Sequence, residues 1–552
     1  MTATQPTDPA ATNDEALRPG NQLDTKTRWS IYWLLIICSL AVICARIWQI
    51  EGDSHGVSVP FLSANDRSRW CTIRSLGDHD TYCIDLVLNA ENGRSWDTID
   101  KVLHWGRDFR PHYYSSKPTW LTTVLTYPYV GLKAVTGWTL KNETFDVVRW
   151  MLVICQVVPL LFFFWSIGRI GDLLGQSEWT RMFLMGCATF GTFVTTFAVT
   201  LNNHLPAVVA TSVGLYALIM IWQRRSESWG WYLLAGLATG FAAAVELPAL
   251  AFLVATMTMC MMRSVSKTLL AFLPPVLLIA AGFFVTNHVA HEQWQPAYAH
   301  RHDGPVLNIV SHVTGDRLAE GEFSESLKQA MKAVREDLTD ESFESVQVLA
   351  GGWPTHDPIE SRWIVYFDQT TLPLVLAERA DGMGIEIREW NNWYEYPGSY
   401  WLKQNTNKSS VDQGESDWKR YLFNLTLGHH GAFSLTPIWL LSIFGVLALC
   451  VSRTYKLRLL ALVIIAVSVV VIAFYVTRPI EDRNYGGWTC GPRWLFWLIP
   501  LWLTAMIPAL DALSESRLMR AVALLLLGIS IASAFYAWAN PWVHPWLYQW
   551  FG

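Results

Sequence analysis

Apolar residues run in stretches of roughly 18–22 along most of the chain, long enough for a helix to cross a hydrocarbon core of about 30 Å. The pattern predicts spans at approximately 29–50, 147–168, 181–200, 205–222, 230–247, 247–262, 268–286, 434–452, 459–476, 494–510 and 521–538. That makes about eleven transmembrane helices and an all-α polytopic membrane protein. A twelfth run, 119–137, is only moderately apolar and contains Pro128, so it reads as an interfacial or re-entrant helix. Two long polar segments interrupt the series, 51–146 and 287–433. Within the second, Leu327, Met331, Val334 and Leu338 recur at helical spacing across 323–345. Ile364-Val365-Tyr366-Phe367 and Ile385-Glu386-Ile387 read as short strands. The predicted organisation is a disordered N-terminus (1–28), a membrane module (29–286) with its first outward loop (51–146), a small mixed α/β insert (287–433), and C-terminal transmembrane helices (434–552).

Charge sets the expected sidedness. Arg224-Arg225, Arg263 with Lys267, Arg453 with Lys456 and Arg458, and Arg517 with Arg520 mark connections that should be cytoplasmic. Lys26 and Arg28 put the N-terminus on that side, in the cytoplasmic (inner) membrane of a cell. The loop, the insert and the C-terminus are then extracytoplasmic. If 119–137 spanned, every later charge cluster would change side. Composition agrees: 52% of the 552 residues are hydrophobic, 16% are charged, and mean hydropathy is +0.23. A net charge of −5 with no basic tract gives no nucleic-acid signal. The first apolar run lacks a cleavage site and reads as a retained anchor. Thirty Trp and nineteen Tyr suit interfacial belts or a sugar-lined cavity. The nine cysteines show no metal spacing. Cys71 and Cys83 share the first loop and can pair as a disulfide in an oxidising compartment.

The outward turns carry the polar residues with chemical potential. Asp66, close after the first span, can act as a general base toward an acceptor hydroxyl if burial raises its pKa; it can equally cap a helix or pair with Arg69. Tyr82 and Trp96-Asp97 offer a polar-aromatic face, or simple packing. Tyr114 and Lys117 precede the interfacial helix, where Lys117 can neutralise a phosphate or sit at headgroup level. Asn203 and His204 lie in a tight turn between spans, and Glu246 in another, so a functional role is the default for each. His430 follows His429, which alone is weak support for a metal. Arg483, Tyr485 and Arg493 flank a glycine-rich turn before the tenth span, where an Arg fork at a helix start can hold a phosphate. No metal or other cofactor is indicated.

In their order, these turns resemble the GT-C superfamily of integral-membrane glycosyltransferases, with protein O-mannosyltransferases and the lipid A aminoarabinose transferase as the nearest in pattern. The resemblance rests on Asp66-Arg67-Ser68-Arg69-Trp70, on Tyr114-Ser115-Ser116-Lys117-Pro118, and on Pro492-Arg493-Trp494-Leu495-Phe496-Trp497-Leu498-Ile499-Pro500. Arg67 and Thr119 depart from it, standing where relatives carry Glu and a second Pro. The resemblance implies a polyprenyl-phosphate sugar donor and a lipid, glycan or protein acceptor. It also implies inverting transfer with Asp66 as base and Arg493, Lys117 and Arg483 on the donor phosphate. Arg69, Trp70, Tyr82, Tyr114, Asn203, His204, Glu246, His430 and Tyr485 would line the substrate. A transporter is the competing reading, distinguished by a polar path through the bilayer rather than polar residues at one mouth. Display of 287–433 on an anchor would need far fewer spans.

Overall fold

The computed structural model describes residues 23–90, 93–350, 361–367, 371–402, 408–409 and 411–551. The chain starts with α1 (Thr25–Trp48), capped by the Asp24 side chain. The first polar loop carries the strands β1 (Gly52–Ser54) and β2 (Val57–Val59), then α2 (Ala64–His79), the antiparallel hairpin β3 (Lys101–Trp105) and β4 (Pro111–Ser115), and α3 (Thr119–Thr136). The membrane series continues through α4 (Thr144–Leu174), α5 (Glu178–Phe190), α6 (His204–Trp222), α7 (Trp229–Val245), α8 (Leu247–Arg263) and α9 (Val265–His291). Strand β5 (Val306–Ser311), α10 (Glu325–Val334), β6 (Gln347–Ala350), β7 (Arg362–Tyr366), β8 (Leu374–Glu378), β9 (Gly384–Glu389) and α11 (Trp418–Thr426) follow. The last four long helices are α12 (Trp439–Cys450), α13 (Tyr455–Val476), α14 (Arg493–Leu513) and α15 (Arg517–Tyr536).

Among the described residues, seven of these helices are long and apolar enough to cross a membrane: α1, α4, α6, α9, α13, α14 and α15. Helices α7, α8 and α12 are apolar but shorter. The remaining predicted span, 181–200, differs in kind. Helix α5 stops at Phe190, and residues 191–203 continue as irregular, buried backbone with a short 3-10 turn at Thr196–Val199. Non-helical backbone at such a position needs protein donors, since lipid offers none. Buried Arg46 at the end of α1 supplies them, donating to Thr195 O at 2.9 Å and Thr196 O at 3.2 Å. Helices α4 and α9 each widen into one π-turn, at Val153–Val157 and Thr268–Phe272, next to Pro159 and to Pro274-Pro275. Prolines lack the N–H that would close the regular turn. Small residues bring helices together: a Cβ at Gly236 would meet Phe272 O, and one at Gly445 would meet Ala505 O, each at 2.1 Å.

The basic connections meet at one end of the bundle. Arg28 pairs with Asp172 and Glu178, and the Gln176 and Ser177 amides donate to Asp511. Likewise Lys267 and Arg263 pair with Glu227, and Lys456 donates to Gln223 O. Helix α3 lies beside the polar α2: Ser68 and Ser115 hydroxyls meet at 2.6 Å near their starts, and Lys133 reaches Asp78 at 2.7 Å near their ends. Its outer face leaves Tyr127, Val130 and Val135 exposed. Pairing with a helix that carries Arg67, Arg69, Arg74 and Asp78 suits a surface position.

The insert holds a five-stranded antiparallel sheet of order β5-β9-β8-β7-β6. One face packs on α10 through Leu327, Met331, Val365, Leu376 and Ile387. The amphipathic helix is shorter than its spacing predicts, ending at Val334, and Leu338 is buried from a turn. The other face, with Ile364 and Val375, packs with Trp390, Trp393 and Tyr394 against Val102 and Tyr114 of the first loop. The Leu103 amide donates to Trp393 O at 3.0 Å, so loop and insert form one assembly. Cys71 and Cys83 are separate free thiols. Of the three Asn-X-Ser/Thr sequons in the sequence, Asn142 is exposed, Asn424 is buried and donates to Tyr485, and Asn407 lies outside the described residues.

Candidate functional site

Three turns from distant parts of the sequence converge at the end of the bundle opposite the basic connections. The start of α6 brings Asn203 and His204, the end of α7 brings Glu246, and the start of α14 brings Arg493. Helix α2 adds Asp66 and Arg69, and the segment after β4 adds Lys117.

The polar network is continuous. Arg69 donates to Asn65 and, at 2.6 Å, to Asn203 Oδ1. Asn203 Nδ2 donates to Glu246 Oε1 at 2.8 Å, and the same oxygen pairs with His204 Nδ1. His204 Nε2 lies 3.3 Å from an Arg493 nitrogen. A guanidinium only donates, so Nε2 accepts and the proton sits on Nδ1, facing the carboxylate. Arg493 is otherwise anchored on Gly486 O, through Nε at 2.9 Å and Nη2 at 2.6 Å, with its guanidinium 4.8 Å from the Trp542 ring. Gly486 has φ +93, a conformation that favours glycine, and a Cβ there would meet Arg493 Nε at 2.9 Å. Arg493 heads a 3-10 turn that becomes α-helical only at Ile499.

Lys117 pairs with Asp100 at 2.9 Å. Burial lowers its ammonium to about 8; Asp100 opposes the fall, and nearby Arg69 and Arg493 add to it. Burial likewise brings Arg69 down to about 10, with Arg493 repelling it. Three buried cations therefore crowd one region, an arrangement that an anion would relieve.

Asp66 occupies the third position of α2, and its backbone and side chain complete a capping box with Ser63. The N-cap is thus Ser63, and Arg69 turns to Asn65 and Asn203 rather than to Asp66. Asp66 Oδ1 accepts from Ser63 N at 2.9 Å and Ser63 Oγ at 3.2 Å; Oδ2 accepts from Leu62 N at 3.1 Å and Thr200 Oγ1 at 2.7 Å. Every one of these donors is neutral. Burial raises the carboxyl's pKa, with those bonds opposing.

The remaining sequence-predicted residues lie outside this network. Trp70 is 1% exposed within the helical core. Tyr82 bonds Thr123 at 2.8 Å, and Tyr114 stacks on His104 at 4.1 Å within the loop–insert contact. His430 stacks on Tyr485 at 4.7 Å, beside His429, His544 and Tyr548. That aromatic cluster lies beyond the Gly486 turn. The Arg483 carbonyl accepts from Glu415 N at 2.9 Å, and its Nε is buried without a partner. Thr200, Trp542 and Arg301 belong to the site region without standing out in the sequence, and Asp100, one of several first-loop acids, joins it through Lys117. Thr200 hides inside an apolar run, and Arg301, which pairs with Asp482 at 3.1 Å and covers the Tyr394 ring, sits in the insert.

No family model matches the chain, and comparison with curated proteins gave no match. Among solved structures the chain is similar to the S. cerevisiae protein O-mannosyltransferase Pmt1–Pmt2 complex bound to the sugar donor, at 11% identity and a TM-score of 0.45, over 95% of this chain and 91% of that one.

Proposed function

We propose that the protein is a membrane glycosyltransferase that moves a sugar from a polyprenyl-phosphate donor to an acceptor hydroxyl at the extracytoplasmic end of the bundle, with inversion. The observation that carries this reading is the cluster of Arg69, Lys117 and Arg493 around the Asn203–Glu246–His204 network, with Asp66, buried and hydrogen-bonded by neutral donors only, one helical turn before Arg69 on α2. Glu246 and Asp100 are already committed to His204 and Lys117. Asp66 has no cation hydrogen-bonded to it, and burial raises its pKa against its four hydrogen bonds and the nearby Arg67. The Thr200 hydroxyl on its Oδ2 marks the direction from which an acceptor hydroxyl would donate.

In this mechanism the acceptor oxygen gives its proton to Asp66 and attacks the anomeric carbon. The bond from that carbon to the phosphate oxygen breaks, and the lipid phosphate leaves as an anion without needing a general acid. Arg493 and Lys117 stabilise the charge developing on it, in a geometry fixed beforehand by Gly486, His204 and Asp100. Arg69 and Asn203 hold Glu246, which keeps His204 in the tautomer that receives Arg493. Arg483 has no role here that its position supports. Transport is the weaker reading, because the buried charged residues cluster at the bundle ends and the helices between contribute hydroxyls such as Thr211, Thr239 and Thr256.

The test is transfer by the purified chain from a panel of polyprenyl-phosphate sugars, with the anomeric configuration of the product determined by NMR. An inverted product supports the proposal. A retained configuration removes the single-displacement mechanism, and uptake of solute into sealed vesicles without transfer supports the transporter.

A further inference from the structure

The first loop contains a second cluster that glycosyl transfer does not use. Cys83 Sγ, an Asp85 carboxylate oxygen and a His112 ring nitrogen lie within 4.8 Å of one another. His112 Nδ1 faces Asp85 Oδ2 at 2.6 Å, while Nε2 faces Asp108 at 2.9 Å. The supports are backbone. Ile84 N donates to Tyr113 O at 2.8 Å, and Tyr113 N donates to Asp85 Oδ1 at 2.8 Å. Cys83 N is held by Thr81 Oγ1 at 3.1 Å, and its carbonyl by Ser75. The segment 83–85 is therefore registered against β4, with each side chain half-buried and open to an ion.

We propose that Cys83, Asp85 and His112 form a zinc site, with Asp108 as the carboxylate that orients the imidazole. A thiolate, an imidazole and a carboxylate suit Zn²⁺ and not Mg²⁺ or Ca²⁺, which prefer all-oxygen shells. Three protein ligands leave a fourth position for water. Asp108 on Nε2 keeps the proton there and leaves the Nδ1 lone pair toward Asp85 and Cys83, the arrangement that metal-bound histidines share. Ligand atoms around tetrahedral zinc are about 3.3–3.7 Å apart, so small side-chain rotations suffice. The rival occupant of the gap is a proton: Asp85 and Asp108 raise the His112 pKa against the effect of burial. Zinc would fasten the turn after α2 to the strand that leads, five residues on, to Lys117. The spacing of 83, 85 and 112 conceals the site in the sequence, because a hairpin brings His112 back beside the Cys-x-Asp pair.

The test is cobalt titration of metal-stripped full-length protein in detergent. The expected result is a thiolate-to-cobalt charge-transfer band that saturates at one equivalent and is displaced by zinc. Cys83→Ser should remove the band, and Asp108→Asn should weaken binding about 10- to 100-fold. Wild-type protein that gives no such band, or a band that survives Cys83→Ser, would overturn the proposal. The wild-type arm does not depend on any variant folding, and none of its outcomes depends on glycosyl transfer.

Discussion

Arg493→Ala removes the group that best fits a donor phosphate. A charge-assisted hydrogen bond contributes about 1.5–3 kcal/mol, so losing one to the phosphate should weaken donor binding about 10- to 150-fold at 1.4 kcal/mol per decade. The substitution also strands two acceptors, Gly486 O and His204 Nε2. An unsatisfied buried acceptor costs the fold about 1–3 kcal/mol, so the assay needs two readouts: donor affinity from binding of a polyprenyl-phosphate sugar, and Tm without donor. Arg493→Lys separates charge from shape. A lysine keeps the positive charge but cannot hold Gly486 O with two nitrogens while also reaching His204. It should recover part of the donor affinity and less of the stability. Folded Arg493→Ala protein with unchanged donor affinity would refute the phosphate role, whatever happened to Tm.

Further predictions test other parts of the site. Glu246→Gln should lower kcat/KM about 10- to 100-fold, because it loosens both His204 and Asn203, with partial loss of Arg493 anchoring read as a lower Tm. Lys117, held at about 8 by burial, loses its charge as pH rises through that value; donor affinity should fall between pH 7 and 9, and Lys117→Arg should flatten that profile. His104 is lowered to about 3, by burial first and then by His300 and His112. Because its folded pKa lies below the unfolded one, the stability it contributes is complete above about 6.5 and declines as pH falls toward 3. Acid should therefore release the first loop from the insert before the helices melt, as followed by hydrogen exchange at Leu103 and Trp393.

Much of this arrangement was legible in the sequence, and the misses have physical causes. Helix spans follow directly from length and hydropathy, and the interfacial reading of α3 follows from its moderate apolarity, Pro128 and the charge pattern of the later connections. The break at Phe190 is not visible in the sequence, because 191–202 is as apolar as a span and the side chains that satisfy its carbonyls include Arg46 and Gln156, some 150 and 40 residues earlier. Two of the insert's five strands, β7 and β9, are legible as short apolar runs, while β5, β6 and β8 are not, and α10 ends at Val334 with the periodic Leu338 buried from a turn. Within the site, Asn203, His204, Glu246 and Arg493 were recognisable because polar residues in membrane turns are costly unless partnered. Their joint network was not, since no spacing relates 203, 246 and 493. Trp70, Tyr82 and Tyr114 looked like lining and pack instead, because an aromatic residue reads the same in a core as in a sugar site.

The most direct test of the central claim compares sugar transfer by wild-type protein and by Asp66→Asn. Asparagine is nearly isosteric but cannot accept from all four donors, so a capping loss of about 0.5–2 kcal/mol is expected, too small to unfold the bundle. The account predicts turnover reduced by about 10²- to 10⁴-fold, the range for a lost general base, with donor binding retained. Turnover near the wild-type rate in folded Asp66→Asn protein would contradict it and leave Asp66 as a helix cap.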